Sequence, residues 1–390
     1  MLVISLIFSM SNIESRIAIV SLRQRNNFIY NSCLYEFEDL IGEVDNVDLI
    51  ELLPTQGLAE FSYKVTRKSA AYFEPITTVK PPLHQSIELP KEYDLLFMIV
   101  DFPYNTVAVN LINQWRKRSK VAACYLIELW KTELTKYKNY LKFLNNFDYV
   151  FLGHSQIVKD VAEITQRPCA YLAPACDTLK FVPRNRAKSH SDRAIDICSM
   201  GRRSQVTHQE LLKQTQKQEF FYHYDPLGGS ELYLNNHQAH RIFNANILKN
   251  TRYFIAHHAK INALQQTGGQ IEIGYRFFEG AAAGAVMLGT APKNNVFAEY
   301  FGWDNAVVPM AFDEPKIADL ITELDANPQL LQEISDRNVK YSLLKHDWVY
   351  RWEQVIKAAG IKGTNELEAR KAKLQQLADS FSSADSLELA

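Results

Sequence analysis

Two series of short apolar runs, each alternating with segments of helical character, constrain this chain most. Asp94–Val100 (DLLFMIV) and Val121–Ile127 (VAACYLI) are near-continuous apolar stretches. Runs of that kind belong to strands buried on both faces, as parallel sheets require. Arg16–Ser21 (RIAIVS), Asp48–Leu53, Tyr149–Gly153 and Ala170–Ala173 complete the first series, with helices expected over about 31–42, 107–117, 131–145 and 156–165. A second series runs through Ala194–Met200 (AIDICSM), Glu219–Tyr224, Arg252–His257 (RYFIAH), Ala285–Gly289 (AVMLG) and Ala306–Val308. Its expected helices cover about 208–217, 236–245, 275–283, 296–301, 317–325 and 329–345. Alternation of strand and helix predicts a doubly wound α/β domain, and two series predict two of them.

A length of 390 residues fits two domains. A net charge of −1 gives no electrostatic reason to expect nucleic acid as a partner. The five cysteines are odd in number and include no CxxC pair, which argues against a disulfide framework or a zinc site and suits a cytoplasmic protein. The apolar start MLVISLIFSM is too short to span a bilayer and lacks the basic start of a signal peptide, so residues 1–14 read as an extension and Met10 as an alternative start. Residues 15–183 are expected to form the first domain, 184–345 the second, 346–361 a closing helix and 362–390 a polar tail that is helical or disordered. Residues 54–90 contain prolines and read as irregular.

The stretch Ile271–Thr290 (IEIGYRFFEGAAAGAVMLGT) carries the most chemistry. A glycine-bearing loop ending at Gly274 feeds a helix, whose first amides and positive dipole end suit an anion such as a diphosphate. Arg276 adds a guanidinium able to bind phosphate bidentately. Glu279, one turn on, can face the same cleft, where a carboxylate can accept hydrogen bonds from a ribose diol. Gly284 is placed to cap the helix C-terminus.

RFFEGAAAGAVMLGT resembles the donor-site signature of GT-B glycosyltransferases, nearest to the family 4-like, spore-maturation-protein branch of the group 1 enzymes. APACDTLKFVPRNR (173–186) resembles the hinge-proximal motif of that fold, and HDWVYRWEQVI (346–356) its closing helix, which crosses back to the first domain. The resemblance implies two Rossmann-like domains facing each other across a cleft, with a nucleotide-diphosphate sugar as donor and a hydroxyl group as acceptor. It further implies a hexosyltransferase-type enzyme of polysaccharide biosynthesis with UDP or GDP donors, retention of anomeric configuration, and neither metal nor cofactor. Glu279 would hold the ribose. Arg202, Arg203 and Arg276 would face the diphosphate, with Gly201 in the Gly-Arg turn, and Glu272 with Gly274 would face the sugar, Glu272 and Glu128 being the candidate catalytic carboxylates. His258, Tyr275 and Phe277 complete the donor-binding set. Two other readings stay open: a catalytically inactive scaffold of the same fold, and a nucleotide-sugar epimerase or phosphorylase.

On the first domain's side of such a cleft, Glu128 ends the VAACYLI run and is a candidate to contact the transferred sugar or the acceptor hydroxyl. Asp101, Tyr104 and His154 also follow strand ends and are acceptor-side candidates. His257 and His258 are adjacent in a strand and point to opposite faces, which excludes a shared metal ion. The basic run Trp115–Lys120 (WRKRSK) is a candidate for peripheral contact with an anionic membrane.

Overall fold

The computed structural model describes residues 14–54, 56–72, 86–184, 189–217, 220–225 and 233–381. The first domain comprises β1 (Ile17–Ser21), α1 (Ser32–Val44), β2 (Val47–Glu51), α2 (Gly57–Ser69), β3 (Tyr93–Val100), β4 (Ser119–Leu126), α3 (Lys138–Phe143), β5 (Tyr149–Leu152), α4 (Val158–Thr165) and β6 (Cys169–Tyr171). Its six strands are all parallel, in the order β2-β1-β3-β4-β5-β6. The second domain follows α5 (Thr178–Phe181) with β7 (Ile195–Ser199), α6 (Gln205–Gln214), β8 (Tyr222–Tyr224), α7 (His237–Lys249), β9 (Thr251–Ile255), α8 (Leu264–Thr267), α9 (Tyr275–Ala282), β10 (Val286–Gly289), α10 (Asn295–Phe301) and β11 (Val308–Pro309). Its parallel sheet has the order β11-β10-β9-β7-β8. Then come α11 (Ile317–Asp325), α12 (Pro328–Lys345), α13 (Trp348–Ala358) and α14 (Asn365–Asp379). The architecture is two doubly wound α/β domains, as the two apolar series predict.

The apolar runs explain the cores. Leu95 to Val100 are buried without a break, because β3 is covered on both faces. One face packs beneath α1 and α13, where Trp348 stacks on Phe37 (ring centroids 4.5 Å apart) and Trp352 lies against Phe97. The closing helix α13 thus completes the first domain's core although it follows the second domain in sequence. Phe181, Phe277 and Phe278 build the second core around Phe254 and Met287. Gly284, at φ +65°, turns the chain out of α9 into β10.

Three expectations need correction. The stretch read as irregular contains the helix α2; the PPLH proline motif at 81–84 lies outside the described residues. The helix expected over 107–117 is a 3-10 segment at Pro103–Leu111, which the proline starts and which ends in turns. The helix expected over 131–145 is broken into a 3-10 turn at Lys131–Glu133, α3, and a further 3-10 turn at Leu144–Asn146. The tail forms α14, which docks through Leu367, Leu374 and Ala378, spaced seven and four residues apart and hence on one face. Arg370 fixes it by ion pairs to Asp177 (2.6 Å) and Asp347 (2.9 Å).

Candidate functional site

Each sheet reverses its winding once, between β1 and β3 in the first domain and between β7 and β9 in the second. Ligands in open α/β sheets lie beyond the carboxyl ends of the strands at such points. In the second domain this place holds a small open pocket lined by Ser199, Arg202, Arg203, Ser204, Thr207, His208, Tyr222, His257 and Phe312, among others.

Beside it stands Arg276, in the first turn of α9. Gly274, the residue before the helix, offers no side chain to cap it, and the amides of Tyr275 and Arg276 have no acceptor among the described residues. The Arg276 guanidinium makes no hydrogen bond or ion pair with a described residue. Burial lowers its pKa, while the charges of Glu279 and Asp225 act to raise it. It runs past Gly201, whose φ is +72°; a Cβ there would come within 2.0 Å of a guanidinium nitrogen. The glycine therefore provides both the left-handed turn and the space. Asp225 accepts from the Gly201 amide (3.0 Å) and pairs with Arg203 (3.0 Å), which also lies over Tyr224. Arg202 is exposed, with one long contact to Asn262 (3.3 Å).

His257 lines the same pocket. The Thr290 amide donates to its Nδ1 (3.0 Å), so the neutral ring carries its proton on Nε2. Burial, then the charges of Arg276 and His258, push its pKa down to about 4. His257 therefore offers a neutral N–H donor at physiological pH. His258 turns its Nδ1 to the Ala259 carbonyl (3.2 Å).

Three residues of the expected donor set face elsewhere. Phe277 has no exposed surface and packs on Phe297 and Phe301 in the core. Tyr275 turns toward the first domain, its ring 6.2 Å from Trp348. Glu272, read as a candidate catalytic carboxylate, is 1% exposed and reaches across to the first domain. One oxygen accepts from the amide (2.8 Å) and hydroxyl (2.9 Å) of Ser155, the other from the Gln156 amide (2.9 Å) and Gln270 (2.8 Å). These are the free amides at the start of the turn that leads into α4, where a carboxylate is stabilised by the helix dipole. With both oxygens engaged, Glu272 latches the two domains.

Glu279 is 7% exposed and ion-paired to Arg241 of α7. Arg241 also binds both oxygens of Glu36 in α1 (3.1 and 3.0 Å). The pair thus stands at the junction of the domains. On the first-domain side, Glu128 accepts from Lys260 of the second domain (2.7 Å) and from Trp130 (2.9 Å). Burial works to raise its pKa, but Lys260 prevails and lowers it, so Glu128 is a carboxylate already committed to a cation. Asp101, at the carboxyl end of β3, accepts from Asn26 (2.6 Å), Asn105 (2.7 Å) and the Phe102 amide (2.9 Å). Tyr104 stacks on Phe102 with Arg67 over its ring. His154 donates from Nδ1 to the Leu129 carbonyl (2.8 Å) and lies against Trp130. Among the described residues, no three of His, Cys, Asp and Glu gather as they would around a metal ion.

Residues 226–357, which hold Gly274, Arg276 and Glu279, match the model of the family described as "Glycosyl transferase-like". The fold is similar to that of HepE from Anabaena, solved in complex with UDP-glucose: 9% identity over 88% of this chain and 99% of that chain, TM-score 0.48. It is also similar to sucrose-phosphate synthase from Thermosynechococcus elongatus (12% identity, 88% and 98% of the two chains, TM-score 0.48) and to TarM from S. aureus, solved with UDP (13%, 68% and 55%, TM-score 0.43). No curated protein sequence matches the chain.

Within the matched residues, sequence reasoning overlooked Arg241 and Lys260, which sit in a helix and a loop with no local pattern. Asp225 and His257 were nearer to hand, each just past a strand end where the switch-point rule places ligand contacts.

Proposed function

We propose that the chain is a glycosyltransferase that moves a sugar from a nucleotide-diphosphate sugar to a hydroxyl acceptor, with retention and without a metal ion. The observation that carries the reading is Arg276: a guanidinium without a hydrogen-bond or ion-pair partner among the described residues, set beside two amides that are likewise open among them at the start of α9, and given room by Gly201. A half-buried cation without a counter-charge is costly, and a diphosphate is the ligand that would relieve it. The glycosyl transferase-like match over the same residues supports a nucleotide sugar as the carrier of that diphosphate. In this reading the α9 amides and Arg276 neutralise the charge that develops on the leaving diphosphate. The Nε2–H of His257 donates to a phosphate or sugar oxygen, and Glu279, held by Arg241, receives the ribose hydroxyls.

Isothermal titration with UDP-, GDP- and ADP-sugars tests this. Binding of one of them by the parent protein, and its loss in Arg276→Gln, is the expected outcome. A folded protein that binds none of them overturns the reading. A second reading, a non-catalytic scaffold of the same fold, draws on the engagement of Glu272 and Glu128 in interdomain contacts. Donor turnover with a hydroxyl acceptor separates the two, because a scaffold binds without turnover.

A further inference from the structure

Helix α2 shows opposite faces to the protein and to solvent. Its inner face is tied down: Arg67 donates to Asn105 (3.2 Å), Tyr63 is buried beneath Arg25, and Glu60, the helix's only acid, turns to Arg25 (3.0 Å). Its outer face is apolar. Leu58 is 73% exposed, Phe61 65% and Val65 48%, and the spacing of three and four residues puts them in one stripe. Tyr72, just past the helix end, is 81% exposed. Lys64 and Lys68, three and seven residues beyond Phe61, rise beside the stripe and are exposed. Neither lysine makes an ion pair with a described residue. An outward apolar stripe with flanking cations and no outward acid is the pattern of a helix that lies in the interface of an anionic membrane. An aromatic such as Tyr72 at the rim suits the headgroup level.

The expected patch at Trp115–Lys120 is a weaker candidate. Trp115 is buried against Phe147, Arg116 pairs with Asp148 (2.8 Å) and Lys120 with Asp94 (2.7 Å). No helix among the described residues is long and apolar enough to cross a membrane, so contact would be at the surface.

We propose that the outer face of α2, formed by Leu58, Phe61, Val65, Lys64 and Lys68, docks the protein on an anionic phospholipid surface. Arg67 leaves the same helix toward Asn105 and Tyr104, so docking brings the first domain's switch point, with Asp101, close to the lipid. A hydroxyl acceptor anchored in that lipid would be presented there.

Co-sedimentation with vesicles of phosphatidylcholine, with and without phosphatidylglycerol, tests the docking without any donor, so its failure is separate from failure of the proposed activity. The parent is expected to sediment with the phosphatidylglycerol vesicles and to be released by salt. Phe61→Asp and the pair Lys64→Glu/Lys68→Glu should each weaken binding roughly tenfold or more. Phe221→Asp, a control at an exposed aromatic of the second domain, should bind like the parent. A parent that ignores both kinds of vesicle overturns the proposal, as does binding that survives the α2 substitutions. A parent dimer that Phe61→Asp turns into a monomer assigns the stripe to a second copy and also overturns it.

Discussion

The Arg276 guanidinium occupies the space that a side chain on residue 201 would fill: a Cβ on Gly201 would lie 2.0 Å from one of its nitrogens. Gly201→Ala therefore carries two penalties, a left-handed φ of +72° and the displacement of Arg276. We expect a loss of about 1 kcal/mol or more in stability, together with at least a roughly tenfold rise in the Kd for the donor. Thermal unfolding and titration calorimetry on the same preparation check both.

Arg276→Gln separates binding from folding. Arg276 has no direct partner to lose among the described residues, and burial disfavours its charge. Removing it should leave the melting temperature unchanged or raise it, while donor binding falls by about 1.5–3 kcal/mol for a lost charge-assisted contact. The measurement is the donor-induced shift in melting temperature of parent and variant. A variant that melts lower without donor would show that Arg276 is structural.

The two-domain architecture was legible because buried parallel strands leave a continuous apolar trace, as in DLLFMIV and VAACYLI, whatever lies around them. The start of α9 was legible for a related reason: Gly274 and Arg276 are local in sequence. What could not be read is long-range partnership. Glu272 looked like a sugar-facing acid because nothing near it in sequence reveals Ser155, more than a hundred residues earlier. Glu128 likewise hides its commitment to Lys260. The docking of the tail could not be read because α14 buries only Leu367, Leu374 and Ala378, a stripe too sparse to stand out among its charges.

If Glu272 is a latch, Glu272→Ala should act on domain coupling. It leaves the Ser155 and Gln156 amides without their acceptor, at a cost of about 1–3 kcal/mol if water does not replace it. We expect faster proteolysis between the domains and a larger radius of gyration by X-ray scattering. Activity should fall through KM, with kcat changed far less than the several orders of magnitude that loss of a nucleophile or general base brings.

Acid should destabilise the fold through two buried histidines. Burial is the main cause that pushes both His190 and His346 down to about 3. His346 donates from Nε2 to the Tyr300 carbonyl (2.9 Å) and sets Nδ1 against the Ser342 hydroxyl (3.0 Å), while the Nδ1 of His190 is buried with no partner among the described residues, so in both cases burial is what disfavours the second proton. The unfolded chain takes up protons near the ordinary value of about 6.5. Below that pH the unfolded state binds more protons than the folded one, so stability present above it is lost progressively as pH falls toward about 3. Urea unfolding at steps from neutral pH down should show this slope. His346→Gln, which keeps a donor toward Tyr300, should reduce the slope by about one proton.

The last prediction concerns Arg241, which joins Glu36 of the first domain to Glu279 of the second. The side chain of Glu36 has no exposure, and besides Arg241 it accepts from the Asp177 amide (3.0 Å) and from Trp348 (3.2 Å). Arg241→Met removes the cation and leaves two buried carboxylates facing each other, at an expected cost of about 3–5 kcal/mol. Adding Glu36→Gln removes one of those charges and keeps an acceptor for the Asp177 amide and Trp348. The double variant should therefore recover part of the loss, with a coupling energy of about 0.5–3 kcal/mol. Chemical unfolding of the parent, both single variants and the double variant closes the cycle. The donor distinguishes the two roles of Glu279. If Arg241 positions that carboxylate for the ribose, the double variant regains stability but not donor affinity. If affinity returns along with stability, Arg241 is only a bolt between the domains, and Glu279 reaches the nucleotide without its help.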